Sequence, residues 1–124
     1  MCRSEALVVA LIDDDLAVRR ALSRALVACG ADVRAFASAE DALAGLHPGE
    51  VDLIVTDFDL PGLDGAELIT AARARGHRCP AVVVSGAIAE HHAARLQGVD
   101  DLDVLRKPFE LPAMVQIMAR CRRR

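Results

Sequence analysis

Asp57 stands singly at the end of a short apolar run, residues 51–56, and three other polar features occupy the same kind of place. Asp13 and Asp14 follow apolar residues 6–12, Ser85 follows residues 81–84, and Lys107 follows segment 103–106, directly before Pro108 and Phe109. Lys107 is the only lysine among fifteen basic residues, all the others being arginine, which suggests that a compact cation is wanted there. An acidic pair, a single aspartate, a hydroxyl and an ammonium suffice for a definite chemistry. They can bind a hard divalent metal, receive a phosphoryl group on a carboxylate and hold its oxygens.

These groups act together only if the fold brings several strand ends to one place. After the first apolar run, Leu16, Val18, Ala21, Leu22, Ala25, Leu26 and Cys29 recur at helical spacing while Arg19, Arg20 and Arg24 take other faces, so a helix follows and Gly30 stops it. Residues 32–36 read as a second strand. Ser38, with Asp41 three residues on, resembles a capping box that opens a helix to about Leu46, and His47-Pro48-Gly49 breaks it. Residues 51–56 read as a buried strand, Pro61-Gly62 and Gly65 mark a long loop, and a helix over 66–75 ends at Gly76. The alternation continues with strand 81–85, helix 89–97 closed by Gly98, strand 103–106 and helix 111–122.

Five strand–helix units with near-continuous apolar strands imply a parallel sheet covered on both faces, with right-handed crossovers: a doubly wound three-layer α/β fold. In such a sheet the carboxyl ends of all strands share one edge, where ligands bind at the switch in strand order. The sequence is compatible with strands one and three as neighbours there, which would place Asp13, Asp14 and Asp57 in one crevice. Three carboxylates that close repel one another, and a divalent cation resolves the conflict. Mg²⁺ suits the inventory, because it takes oxygen ligands and uses one or two carboxylates plus a phosphate, and no thiol or imidazole is placed to favour zinc. Asp57 is the best candidate for the nucleophile, with Ser85 and Lys107 to hold the phosphoryl oxygens.

Composition agrees with this reading. At 124 residues, 53% hydrophobic and 27% charged, the chain fits one soluble domain over residues 1–124, and a net charge of −3 gives no electrostatic case for nucleic acid. Its end falls in or just beyond the last helix, so no second module is expected there. The first apolar run is too short to span a bilayer and leads into three aspartates, so no membrane association is expected and the default location is the cytoplasm. Cys2, Cys29, Cys79 and Cys121 are scattered, without a Cys-x-x-Cys pair, and read as free thiols. His91 and His92 read as a solvated helix face, and His47 and His77 as turn residues. The arginines at 120 and 122–124 complement the dipole of the last helix, and no DNA-reading module fits in the remaining residues.

Four segments in order, Leu11-Ile12-Asp13-Asp14-Asp15, residues 57–65, Val82-Val83-Val84-Ser85-Gly86-Ala87 and Lys107-Pro108-Phe109, make the chain resemble the response-regulator receiver domains of two-component phosphorelays. The resemblance spans essentially the whole chain. It implies a flavodoxin-like (βα)5 fold with strand order 2-1-3-4-5. It further implies that Asp57 accepts a phosphoryl group from a phosphohistidine on a sensor histidine kinase or a histidine phosphotransfer protein. Asp14 and Asp57 would ligate Mg²⁺ directly, Asp13 through water, and the Asp59 backbone carbonyl would complete the set. Ser85 would hydrogen-bond the phosphoryl group, Lys107 would pair with it, and a cis Lys107–Pro108 bond is implied. The domain would signal to a downstream target protein or relay phosphate, and many relatives dimerise through the last helices, although no apolar stripe here demands it. It would catalyse its own phosphorylation and dephosphorylation without turning over an external substrate.

The chain departs from the pattern at Val104, where receivers carry Tyr or Phe three residues before the lysine. A β-branched aliphatic has no ring to swing, so activation is expected mainly in the loop 85–88 and the helix after it, where Gly86 and Ala87 leave backbone freedom. Asp59 lies near the path of attacking water in the resembled family, though it reads equally as a solvated loop acid. The rival enzyme reading is a haloacid-dehalogenase-like phosphatase using Asp57 and Asp59 as an Asp-x-Asp motif. That family opens on its nucleophile strand and ends on its acidic pair, the reverse of the order here. A non-phosphorylated pseudo-receiver is a further alternative, and a nucleotide- or flavin-binding domain survives only as fold analogy, since no glycine-rich phosphate loop is present.

Overall fold

The computed structural model describes residues 7–86, 101–106 and 111–122, with the side chain of residue 122 excepted. The elements run β1 (Leu7–Ile12), α1 (Leu16–Ala28), β2 (Ala31–Phe36), α2 (Ala39–Gly45), β3 (Leu53–Asp57), α3 (Gly65–Ala74), β4 (Ala81–Ser85), β5 (Leu102–Arg106) and α4 (Leu111–Arg122). All five strands are parallel, in the order β2-β1-β3-β4-β5, so strands one and three are neighbours. The expected helix over 89–97 and the Lys107–Pro108 bond lie outside the described residues.

Period-two alternation assigns the two faces of the sheet. Val9 and Leu11 of β1, Val55 of β3 and Val82 and Val84 of β4 pack with Leu26 of α1 and Met114, Ile117 and Met118 of α4. Ala10 and Ile12, Ile54 and Val83 face the other way, onto Ala42 and Leu43 of α2 and Leu68, Ile69 and Ala72 of α3. The central strands are therefore buried on both sides, which is why they read as unbroken apolar runs, whereas the edge strands β2 and β5 are partly exposed.

Helix ends follow local chemistry. Asp15 caps α1, its carboxylate accepting the amides of Ala17 at 2.9 Å and Val18 at 3.3 Å. Ser38 caps α2 through the Asp41 amide. The reciprocal capping box lies instead at α3, where Asp64 accepts the Glu67 amide at 2.9 Å and Glu67 accepts the Asp64 amide at 3.1 Å. Gly65, expected in the loop, is accordingly the first residue of α3, because the Asp64 cap fixes the start one residue earlier. Strand β3 likewise begins at Leu53 and includes Asp57, since its pairing with β1 starts at Val9↔Leu53 and that with β4 continues to Asp57↔Val84.

His77, expected as a turn residue, is buried. Its amide closes a Schellman motif on α3, bonding Ala72 O at 3.0 Å while the Gly76 amide bonds Arg73 O at 3.1 Å, and this folds the side chain inward to 2% exposure. Nε2 is buried without a hydrogen-bond partner. Burial pushes the imidazole below its ordinary value of 6.5; Arg73, Arg75 and His47 push it the same way, and Glu50 opposes them. The unfolded chain therefore takes up a proton below pH 6.5 that the folded chain refuses. The stability contribution is complete above pH 6.5 and is lost as pH falls from there towards the lowered folded value. Urea unfolding of the parent and of His77→Phe across that window should show a shallower acid-side decline in the variant.

Among the described residues, no helix is long and apolar enough to cross a membrane. Cys29, Cys79 and Cys121 are not paired in a disulfide among the described residues, and Cys2 lies outside them.

Candidate receiver site

Three strand ends build the site. Asp13 follows β1 and is 2% exposed, held by its amide to Phe36 O at 3.1 Å and by its Oδ1, which accepts the Asp15 amide at 2.9 Å. Arg19 Nη1, at the end of the first turn of α1, donates to the Asp13 carbonyl at 2.7 Å. The aspartate run thus divides its labour: Asp15 caps the helix, and Asp13 and the exposed Asp14 remain for the crevice. Asp57 ends β3, and the next amide, Phe58, bonds Val84 O at 2.9 Å, which ties the nucleophile candidate to β4.

One carboxylate oxygen each from Asp13, Asp14 and Asp57 lies within 4.8 Å of the others, and no other group of three His, Cys, Asp or Glu side chains converges this way among the described residues. All-oxygen donors from buried, half-buried and exposed positions fit Mg²⁺ and do not fit a soft metal. Ser85, 2% exposed, is the last residue of β4 and pairs in register with Arg106 of β5, the residue before Lys107. Lys107 itself, and Ala87 of the expected switch loop, lie outside the described residues. Gly86 is exposed, and Val104 is 40% exposed on β5.

The loop after Asp57 returns sharply. Phe58 O accepts the amides of Leu60 at 3.1 Å and Gly65 at 2.8 Å, and buried Phe58 and Leu60 anchor the loop in the core while Asp59 and Pro61 remain exposed. Residues 9–119 match the response regulator receiver domain family.

The chain belongs to the receiver family. Response regulator protein FleR of Pseudomonas aeruginosa is 37% identical over 114 residues, covering 90% of this chain and 24% of FleR. The DNA-binding transcriptional regulator NtrC of Salmonella typhimurium is 27% identical over 113 residues, covering 91% of this chain and 24% of NtrC. The chain thus spans about a quarter of these relatives. The Vibrio cholerae chemotaxis protein CheY4 superimposes with a TM-score of 0.83 at 23% identity, covering 94% of this chain and 98% of CheY4, and shares the fold. As a receiver domain the chain is a phosphoacceptor in two-component signalling.

Two parts of the site escaped the sequence reading. The Arg19 bond to the Asp13 carbonyl had helical spacing as its only signal. The Asp64/Glu67 box, which fixes where α3 meets the end of β3, was signalled by Asp-x-x-Glu overlapping the start of an apolar helix.

Proposed function

We propose that Asp57 is the phosphoacceptor, that Asp13, Asp14, Asp57 and the Asp59 backbone carbonyl hold Mg²⁺, and that Ser85 and Lys107 bind the transferred group. The reading rests on the convergence of the three carboxylates at the ends of two adjacent central strands. An Asp57 carboxylate oxygen forms a bond to phosphorus as the P–N bond of the donor phosphohistidine breaks, and the departing imidazole takes its proton from solvent. The acyl phosphate later loses its phosphoryl group to water. Mg²⁺ would supply neutralisation of the carboxylates and of the phosphoryl oxygens. Asp13 and Asp14 orient the cation, the Ser85 hydroxyl donates to one oxygen, and the Lys107 ammonium offsets the charge of the product.

The donor is a sensor histidine kinase or a histidine phosphotransfer protein, and the product changes affinity for a downstream protein or relays phosphate onward. With Val104 in place of an aromatic, the change is carried by the loop at 85–88. Residues 1–124 act as one receiver, in the cytoplasm, and not as a turnover enzyme on an external substrate. The relative NtrC is a DNA-binding regulator, whereas direct contact of residues 1–124 with nucleic acid is not expected.

Calorimetric titration with Mg²⁺ tests the metal half of the proposal. Asp13→Ala and Asp14→Ala should each weaken binding by about ten- to a hundredfold. Parent-like affinity in both variants would remove the acidic pair from the site.

A further inference from the structure

Glu40 stands outside the carboxylate cluster, in the first turn of α2, and yet reaches the loop that follows Asp57. Its Oε2 accepts the Leu63 amide at 3.3 Å, across 23 positions of sequence. Gly62 precedes that amide with φ +77, and a Cβ built on Gly62 would lie 2.5 Å from the same Oε2. The carboxylate therefore lies flat against the turn, and the turn admits it because residue 62 carries no side chain. The start of the loop is tied to the sheet by the Phe58 amide to Val84 O, and the loop closes on itself through the Leu60 and Gly65 amides to Phe58 O. The middle, residues 61–63, is held by Glu40. Helix α2 is a firm support for this contact, since Ala39 and Ala42 are fully buried in the same core cluster as Phe58 and Leu60.

We propose that Glu40 is a positioning residue for the phosphoacceptor loop, setting the path of residues 59–62 and with it the aim of the Asp59 carbonyl. This rests on the metal reading above and extends it to a side chain that touches neither metal nor phosphate. The outer helix α2 is thereby linked mechanically to the loop beside the nucleophile, through one charged acceptor. The geometry asks for an acceptor at this place and does not require a charge.

Mg²⁺ titration of the parent, Glu40→Ala, Glu40→Gln, Gly62→Ala and the Glu40→Ala/Gly62→Ala double variant tests it, with Leu63 amide exchange followed in the metal-free proteins. Glu40→Ala should weaken Mg²⁺ by about fivefold and speed Leu63 exchange, while Glu40→Gln, which keeps an acceptor, stays within about twofold of the parent. The double variant should lose less than the product of the single losses, because the carboxylate that clashes with the new methyl is gone. Parent-like Mg²⁺ affinity and Leu63 exchange in Glu40→Ala would overturn the proposal. So would a Glu40→Gln loss equal to that of Glu40→Ala, which would assign the effect to charge. A parent that binds no Mg²⁺ would overturn the metal reading instead, and the Leu63 exchange comparison would still decide the contact.

Discussion

Asp57→Asn is expected to abolish phosphoryl uptake under conditions where the parent takes up one group, a loss on the order of ten-thousandfold or more in rate. The amide matches the carboxylate in shape but has no oxygen able to form a stable acyl phosphate, so the nucleophile is removed with little change in volume. Relief of repulsion among three clustered acids also works in favour of the folded variant. Folding should therefore persist while uptake disappears, which separates loss of chemistry from loss of structure. Asp59→Asn serves as the partner measurement. Asp59 is exposed in the loop, and its replacement should leave uptake intact and alter only how long the phosphoryl group lasts. Loss of uptake in Asp59→Asn equal to that in Asp57→Asn would instead favour an Asp-x-Asp phosphatase, in which the second acid is part of the machinery.

Gly65→Ala should be the most damaging single-methyl addition near the site. The new Cβ would lie 2.7 Å from the Asp57 carbonyl oxygen and 2.9 Å from Phe58 Cα, both backbone atoms that no side-chain rotation can move aside. Either the start of α3 retreats, straining the 2.8 Å bond from the Gly65 amide to Phe58 O, or the end of β3 shifts and carries Asp57 with it. A cost of about 1–3 kcal/mol in urea unfolding is expected, the usual range for overpacking. Phosphoryl uptake by the folded fraction should slow as well. Gly86→Ala is the control: a Cβ there meets nothing within 4 Å, and its stability should match the parent closely. Equal stability of Gly65→Ala and Gly86→Ala would show that the α3–β3 approach is looser than the geometry states.

The alternation of apolar runs with helical spacing was enough to place the strands and the acidic residues at their ends, because strands buried on both faces leave so plain a pattern. Strand boundaries moved by a residue or two where pairing, and not local propensity, decides the end, as at Leu53 and Asp57. The run Asp13-Asp14-Asp15 shows the limit more sharply. Any of the three could cap a helix on sequence grounds, and only the turn in which Asp13 accepts the Asp15 amide assigns the cap to Asp15. His77 was legible as a turn residue but its burial was not, because that depends on where the Schellman motif aims the side chain. The contact of Glu40 with Leu63 joins two elements on either side of β3, and no local pattern reports such a pairing.

Residue 57 is expected to carry the phosphoryl group, and the acidic pair to make its uptake metal-dependent. The parent should be incubated with a small phosphodonor, with and without Mg²⁺, then reduced with hydride to convert any acyl phosphate to an alcohol and mapped by peptide mass. Conversion of Asp57 to homoserine, confined to the Mg²⁺-containing sample and absent after Asp13→Ala/Asp14→Ala, is the predicted result. Conversion at another aspartate, or at Asp57 to the same extent without Mg²⁺, would contradict the account.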